Sequence, residues 1–171
     1  MPQPESLHLK KLVGRAAATL CVAACLAADG GFRVSIATPQ VLGGIVDNRY
    51  LSLKLSHSID GYLVSCDRRR ILVWGRPMKF NSDAPQEATL TVVDTRSLKI
   101  GSEVRFSKGI HSAEFLAERS EAIIGTEMGA MIDLETGKIL PSPDYLEFDT
   151  TRYPRETCPE FPYKSFNKFP D

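Results

Sequence analysis

The stretch VVDTRSLKI at residues 92–100 returns as MIDLETGKI at residues 131–139, and this pair decides the fold. Each copy has two apolar residues, an aspartate, two variable residues, a serine or threonine, one variable residue, and then lysine and isoleucine. The pattern predicts a β-hairpin, because an aspartate carboxylate and a Ser or Thr hydroxyl can accept the free amides of a turn. Gly137 suits a turn position with positive φ, and the Lys-Ile pair then starts the returning strand.

A second similarity lies upstream of each copy, where residues 64–75 and 115–125 both run apolar, acid-Arg turn, apolar and glycine. Together, each unit resembles a blade of β-propellers of the quinoprotein or WD-like kind. The copies start 39 residues apart, close to the usual blade period of roughly 40–45 residues. Propellers close with about four to eight blades, whereas this chain has room for about two or three. The resemblance therefore implies an incomplete propeller or a small sandwich.

The rest of the central region also predicts short antiparallel strands. Residues 50–56 alternate with period two, with leucines on one face and mainly polar residues on the other, as in a half-buried strand. Gly43-Gly44 is expected to break the stretch that follows Pro39, and residues 77–86 are expected to form a loop. No sustained helical period follows the leader. We therefore expect an all-β domain of antiparallel meander sheets over residues 32–140.

The first 24 residues predict a signal peptide, with Lys10, Lys11 and Arg15 before a short apolar run. This run is far shorter than the roughly 20 residues that a membrane-spanning helix needs. Its end, VAAC at residues 22–25, resembles a bacterial lipobox, which implies lipidation of Cys25 and a tether over residues 25–31. The residue after the cysteine is Leu26 and not aspartate, and in that family the absence of aspartate here favours sorting to the outer membrane. The alternatives are soluble secretion with cleavage near residue 27 or 28, or a buried N-terminal helix with two core cysteines.

Two cysteines remain if Cys21 leaves with the leader and Cys25 is acylated. An even pair in an oxidising compartment predicts a disulfide between Cys66 and Cys158. The closed loop would span about ninety residues and stabilise the fold by roughly 4–5 kcal/mol in the chain-entropy model. The alternative is two free thiols, with that of Cys66 buried in a strand.

Residues 141–171 are rich in proline and aromatic side chains. Proline has no amide to donate and is unsuited to a central strand, and the aromatic residues are too many for a solvated tail. We expect an extended C-terminal arm that lies over the β domain and is pinned by Cys158. It either packs on its own domain or reaches out as a binding surface.

The net charge and the absence of known motifs narrow the range of expected functions. The whole chain has a formal net charge of zero, and removing a leader with three basic residues and one acid leaves about −2. No basic stripe is available to neutralise phosphates, so nucleic acid is not an expected partner. The sequence has no Gly-x-Ser-x-Gly elbow, phosphate-binding loop or dinucleotide glycine pattern. His57 and His111 lack metal-ligand spacing. We expect no catalysis, cofactor or metal.

A small, anchored, β-rich, disulfide-linked module is similar in profile to bacterial immunity lipoproteins, which neutralise toxins delivered into the periplasm. This similarity implies a lipid-anchored, periplasm-facing protein that covers a surface on another protein. The alternatives are a scaffold or assembly factor of an envelope complex, and a small-ligand or sugar-binding module. Because aromatic and arginine side chains dominate interface energies, the predicted partner contacts are Arg68, Trp74, Tyr153 and Phe161.

Overall fold

The computed structural model describes residues 33–79, 81–141, 150–158 and 164–165, and the protein is all-β over these ranges. The strands within these ranges are β1 (Arg33–Thr38), β2 (Val41–Val46), β3 (Arg49–Lys54), β4 (Gly61–Val64), β5 (Arg70–Gly75), β6 (Ala88–Asp94), β7 (Lys99–Phe106), β8 (Ser112–Phe115), β9 (Glu121–Gly125), β10 (Ala130–Asp133), β11 (Ile139–Leu140) and β12 (Lys164–Ser165). The predicted signal peptide, the tether with Cys25, and Phe161 lie outside the described residues. Within those ranges no helix has the length and apolar character to cross a membrane.

The strands form three antiparallel sheets, which confirms the expected meander architecture. The first sheet has the order β1-β2-β3, the central sheet β12-β4-β5-β6-β7, and the last sheet β11-β10-β9-β8. The runs β4–β7 and β8–β11 are each a four-stranded meander, as the blade-like repeat predicted. None of the sheets formed by the described strands closes into a barrel.

The sheets pack face to face, with the central sheet buried on both sides. Strands β5 and β6 are buried on both faces, so alternate side chains enter different cores. Between the first and central sheets lie Leu42, Leu55, Ile59, Tyr62, Val64, Ile71, Val73, Val93 and Leu98, flanked by Val34, Ile36, Leu51 and Leu53. Between the central and last sheets lie Leu72, Trp74, Ala88, Leu90, Val92, Val104, Phe106, Ile110, Ala113, Phe115, Ala122, Ile124, Ala130, Ile132 and Leu134.

The repeated stretch forms the two predicted hairpins, and its aspartates accept the turn amides. Asp94 Oδ1 accepts the amide of Ser97 at 2.8 Å and its hydroxyl at 2.7 Å. Asp133 Oδ1 accepts the amide of Thr136 at 2.7 Å and its hydroxyl at 2.9 Å. These bonds favour the ionised form, so the pKa of Asp94, chiefly through the Ser97 hydroxyl, and that of Asp133, chiefly through the Thr136 amide, lie below their ordinary value.

Both hairpins also place one residue in the left-handed region at the same position of the repeat. Gly137 has φ +69°, as predicted, and Leu98 at the matching position has φ +47°. Leucine in this region is strained by about 1–2 kcal/mol, but here its side chain is buried among the residues of the first inter-sheet core. The two copies therefore share a backbone geometry at this position, although one has leucine there and the other glycine.

Strand β2 is a correction to the sequence analysis, which took Gly43-Gly44 as a break. The two glycines lie in mid-strand, paired with β1 on one side and β3 on the other. A Cβ on Gly43 would approach Tyr50 Oη to 2.5 Å and Ser35 Oγ to 2.6 Å, so the strand lacks a side chain where Tyr50 lies across it. The next turn, Asp47 and Asn48 with φ +48° and +61°, is the two-residue hairpin type that such strands favour.

Residues 150–158 lie on the far side of the last sheet and are joined to the central sheet. Cys158 forms a disulfide with Cys66 across 92 residues of sequence, as predicted. The segment is also held by backbone bonds, from the amide of Ala117 to the Pro154 carbonyl at 2.8 Å and from that of Glu156 to the Phe115 carbonyl at 2.9 Å. Further along the chain, β12 pairs with β4.

Candidate functional site

Trp74, one of the predicted partner contacts, lies in the core between the central and last sheets. It is 1% exposed, and its ring packs on the backbone of Gly61, where a Cβ would meet the indole at 2.4 Å. A side chain buried this way offers almost no surface to a partner protein. This placement corrects the expectation, which rested on residue type alone.

Arg68 and Tyr153, the other predicted contacts within the described residues, do not form a joint surface either. Tyr153 is buried against Leu116, Ile123 and Met131, with the guanidinium groups of Arg119 and Arg152 at 5.4 and 5.6 Å from its ring centre. Arg68 is half-buried in the β4–β5 turn with φ +57°, where its carbonyl accepts the Thr95 hydroxyl. Tyr153 therefore fixes the 150–158 segment to the last sheet, and Arg68 supports a turn.

An exposed sheet face lies at the opposite end of the stack. We call it the outer face, and it is the side of the first sheet that points away from the central sheet. The strand register places its members opposite one another, Arg33 and Ser35 on β1, Val41, Gly43 and Ile45 on β2, and Tyr50, Ser52 and Lys54 on β3.

The centre of the outer face is apolar and its margins are basic. Tyr50 is 60% exposed and Ile45, directly opposite it, is 37% exposed. Serines flank them, and Arg33 and Lys54 are exposed at the margins of the face. A central aromatic surrounded by small residues and charges resembles the anatomy of a protein interface.

Sequence reasoning missed Tyr50 as a contact, although the signal was present. The predicted strand over residues 50–56 is confirmed, with Leu51 and Leu53 against the core and Ser52 and Lys54 exposed. Period two puts Tyr50 on the same side as those polar residues, where an aromatic side chain is unexpected. The signal was therefore an aromatic side chain on the polar side of a half-buried strand.

His57 is buried and structural. Its side chain is fully buried, and Nδ1 lies 2.6 Å from the Ser58 carbonyl, to which it donates, so the neutral ring can accept the Thr91 hydroxyl at Nε2, 2.8 Å away. Desolvation is the largest influence and lowers its pKa below the ordinary value of 6.5. The Ser58 carbonyl acts in the opposite direction but does not reverse this.

His57 should make stability depend on pH in the mildly acidic range. The unfolded chain binds a proton below pH 6.5 and the folded chain only at lower pH. The free energy of unfolding should therefore be constant above 6.5 and fall on acidification, by at most about 1.4 kcal/mol per pH unit. Denaturant unfolding between pH 7.5 and 5.0 measures this slope.

His57→Gln should flatten this slope. The lowered pKa values of Asp67, Asp94 and Asp133 affect stability only below their ordinary value of 3.8, outside this window. An unchanged slope in His57→Gln would contradict the assignment.

One group of potential metal ligands occurs within the described residues. Cys66, Glu156 and Cys158 bring a ligand atom each to within 4.8 Å of one another. Both sulfurs are joined in the disulfide, and Glu156 Oε2 accepts the amide of Cys66 at 2.8 Å. The carboxylate thus completes the hydrogen bonding of the disulfide turn, and the group is structural.

Comparisons with known proteins do not assign the chain to a family. No protein-family model matches the chain, no curated protein matches it, and no solved structure matches it.

Proposed function

We propose that this chain is a non-catalytic binding protein that covers a surface of another protein with its outer face. The observation that carries the proposal is the contrast between the two ends of the stack. At one end residues 150–158 cover the last sheet and bury Tyr153. At the other end Tyr50 and Ile45 are exposed. Exposed aromatic and aliphatic side chains grouped on one sheet face are typical of interaction surfaces.

The charge of the outer face favours a partner with acidic residues around an apolar patch. Among the described residues of this face, Arg33 and Lys54 are the charged members, and both are basic. Complementary charges at an interface margin speed association and fix orientation more than they add affinity. The energy of binding would then come from the centre, where Tyr50 can bury its ring at little entropic cost.

The cellular setting follows from the leader. With Cys25 lipidated, the protein would face the periplasm from a membrane anchor, and the disulfide suits that oxidising compartment. An anchored binding module without a reaction of its own fits an immunity protein that blocks a delivered toxin. A gene for a secreted toxin immediately beside its own would support this role.

Photo-crosslinking through Tyr50 tests the proposal. Benzoylphenylalanine at position 50 should capture the toxin in cells that receive it. The same substitution at Ile139, which is 54% exposed on the last sheet, should not. Tyr50→Ser should weaken toxin binding by at least about 30-fold, the effect of losing a central aromatic contact, and should abolish protection from the co-expressed toxin.

Two results would overturn the assignment. Capture of resident envelope proteins alone would identify a scaffold instead of an immunity protein. Unchanged protection and affinity in Tyr50→Ser would remove the outer face from the interface. Gly43→Ala is a useful second variant, because its Cβ would displace the Tyr50 ring without removing it.

A further inference from the structure

A cleft of about 530 Å³ lies between the central and last sheets, away from the outer face. It forms where β5 ends and β4 and β6 begin, beside the loops that follow β7 and β9. The buried residues Trp74, Ala88 and Ile110 lie beneath its floor, and Pro85 is exposed at its wall. Its volume is in the range of clefts that bind small molecules.

Each sheet contributes one ion pair to the lining of the cleft. On the central-sheet side, Arg76 Nε lies 3.4 Å from Asp60 Oδ2. On the side of the last sheet, Lys108 Nζ lies 2.9 Å from Glu127 Oε2. The cleft thus presents two carboxylates, two basic groups and the imidazole of His111.

These pairs can exchange partners with a ligand. The cationic side chains are well exposed, Arg76 at 73% and Lys108 at 47%, and exposed ion pairs contribute little to stability. Asp60 is the more fixed member, because the Ser58 hydroxyl donates to its Oδ1 at 2.9 Å. A ligand that brings both a cation and an anion can therefore replace each pair with charge-assisted hydrogen bonds of its own.

We infer that this cleft binds a short zwitterionic peptide with apolar side chains. Its ammonium group would be held by Asp60 and Glu127, its carboxylate by Arg76 and Lys108, and its apolar side chain would lie against Pro85. The balanced charge of the lining disfavours polyanions such as nucleotides. The site is separate from the outer face, so the inference does not depend on the proposed function.

The chain carries its own reporter for this site, since Trp74 beneath the cleft floor is its single tryptophan. Titrating the detergent-purified full chain with the dipeptide Leu-Leu should shift tryptophan emission in a saturable manner, with calorimetry confirming the dissociation constant. N-acetyl-Leu-Leu-amide, which lacks both terminal charges, should bind at least about fivefold more weakly.

Variants separate the two ends of the peptide. Lys108→Gln should weaken binding of Leu-Leu about fivefold but leave Leu-Leu-amide unaffected, because the amide has no carboxylate. Glu127→Gln should weaken both, since both keep the ammonium group. Glu121→Gln removes a comparable surface ion pair with Arg119, 3.4 Å long and outside the cleft lining, and should bind like the parent chain.

The inference is overturned if Leu-Leu gives no saturable signal, if the blocked dipeptide binds equally well, or if Lys108→Gln and Glu127→Gln both bind like the parent. Tyr50→Ser should bind Leu-Leu normally. This keeps failure of the cleft distinguishable from failure of the outer face.

Discussion

Replacing Cys66 with serine should lower the free energy of unfolding by about 4–5 kcal/mol. The disulfide closes a loop over 92 residues of sequence, and the entropy that such a cross-link removes from the unfolded chain has this size. Typical domains are stable by only about 5–15 kcal/mol, so the variant should be marginal. Denaturant unfolding of the oxidised parent and the variant measures the difference.

Cysteine variants provide matched controls for this prediction. Cys158→Ser should cost the same as Cys66→Ser, and the double variant should cost no more than either, because one bond is lost in all three. Reducing the parent should reproduce the loss, and Cys25→Ser should leave stability unchanged. A loss below about 1 kcal/mol would show that contacts of residues 150–158 hold the segment without the bond.

Trp74→Ala should lower the free energy of unfolding by about 3–5 kcal/mol, the usual cost of removing a large buried aromatic side chain. The ring fills the space between the Gly61 backbone and the apolar residues that lie between the central and last sheets. Thermal or denaturant unfolding measures this loss, and Trp74→Phe should show a smaller one.

Tyr50→Ser is the matched surface control, because its side chain is largely exposed and should change stability by under about 0.5 kcal/mol. Trp74 should thus decide stability and Tyr50 partner binding, although the sequence analysis named Trp74, and not Tyr50, as a partner contact. Loss of partner binding in a fully stable Trp74→Ala would contradict this.

Features that depend on residues close together in the sequence were predictable. The two aspartate hairpins needed only the identity of Asp94 and Asp133 and the residues three positions later, because turn hydrogen bonds are local. The all-β class followed from strands with period two. The disulfide followed from counting cysteines, since one pair was left once Cys21 was assigned to the leader and Cys25 to acylation.

Features that depend on which surfaces meet were not predictable. Strand β2 was missed because Gly43 is explained only by a side chain from β3 lying over it. Trp74 was misplaced because a strand that is apolar on both faces does not indicate how deeply its sheet is buried. The cleft joins residues from Asp60 to Glu127, which only the packing of two sheets brings together.

The covered end of the stack also sets a stoichiometry. A pile of sheets with two open faces could associate head to tail without limit, as heterologous contacts that do not close produce filaments. Here the 150–158 segment, locked by a covalent bond, occupies one of those faces. Within the described residues only the outer face is left for stacking, so we expect complexes formed through it to hold one partner for each chain.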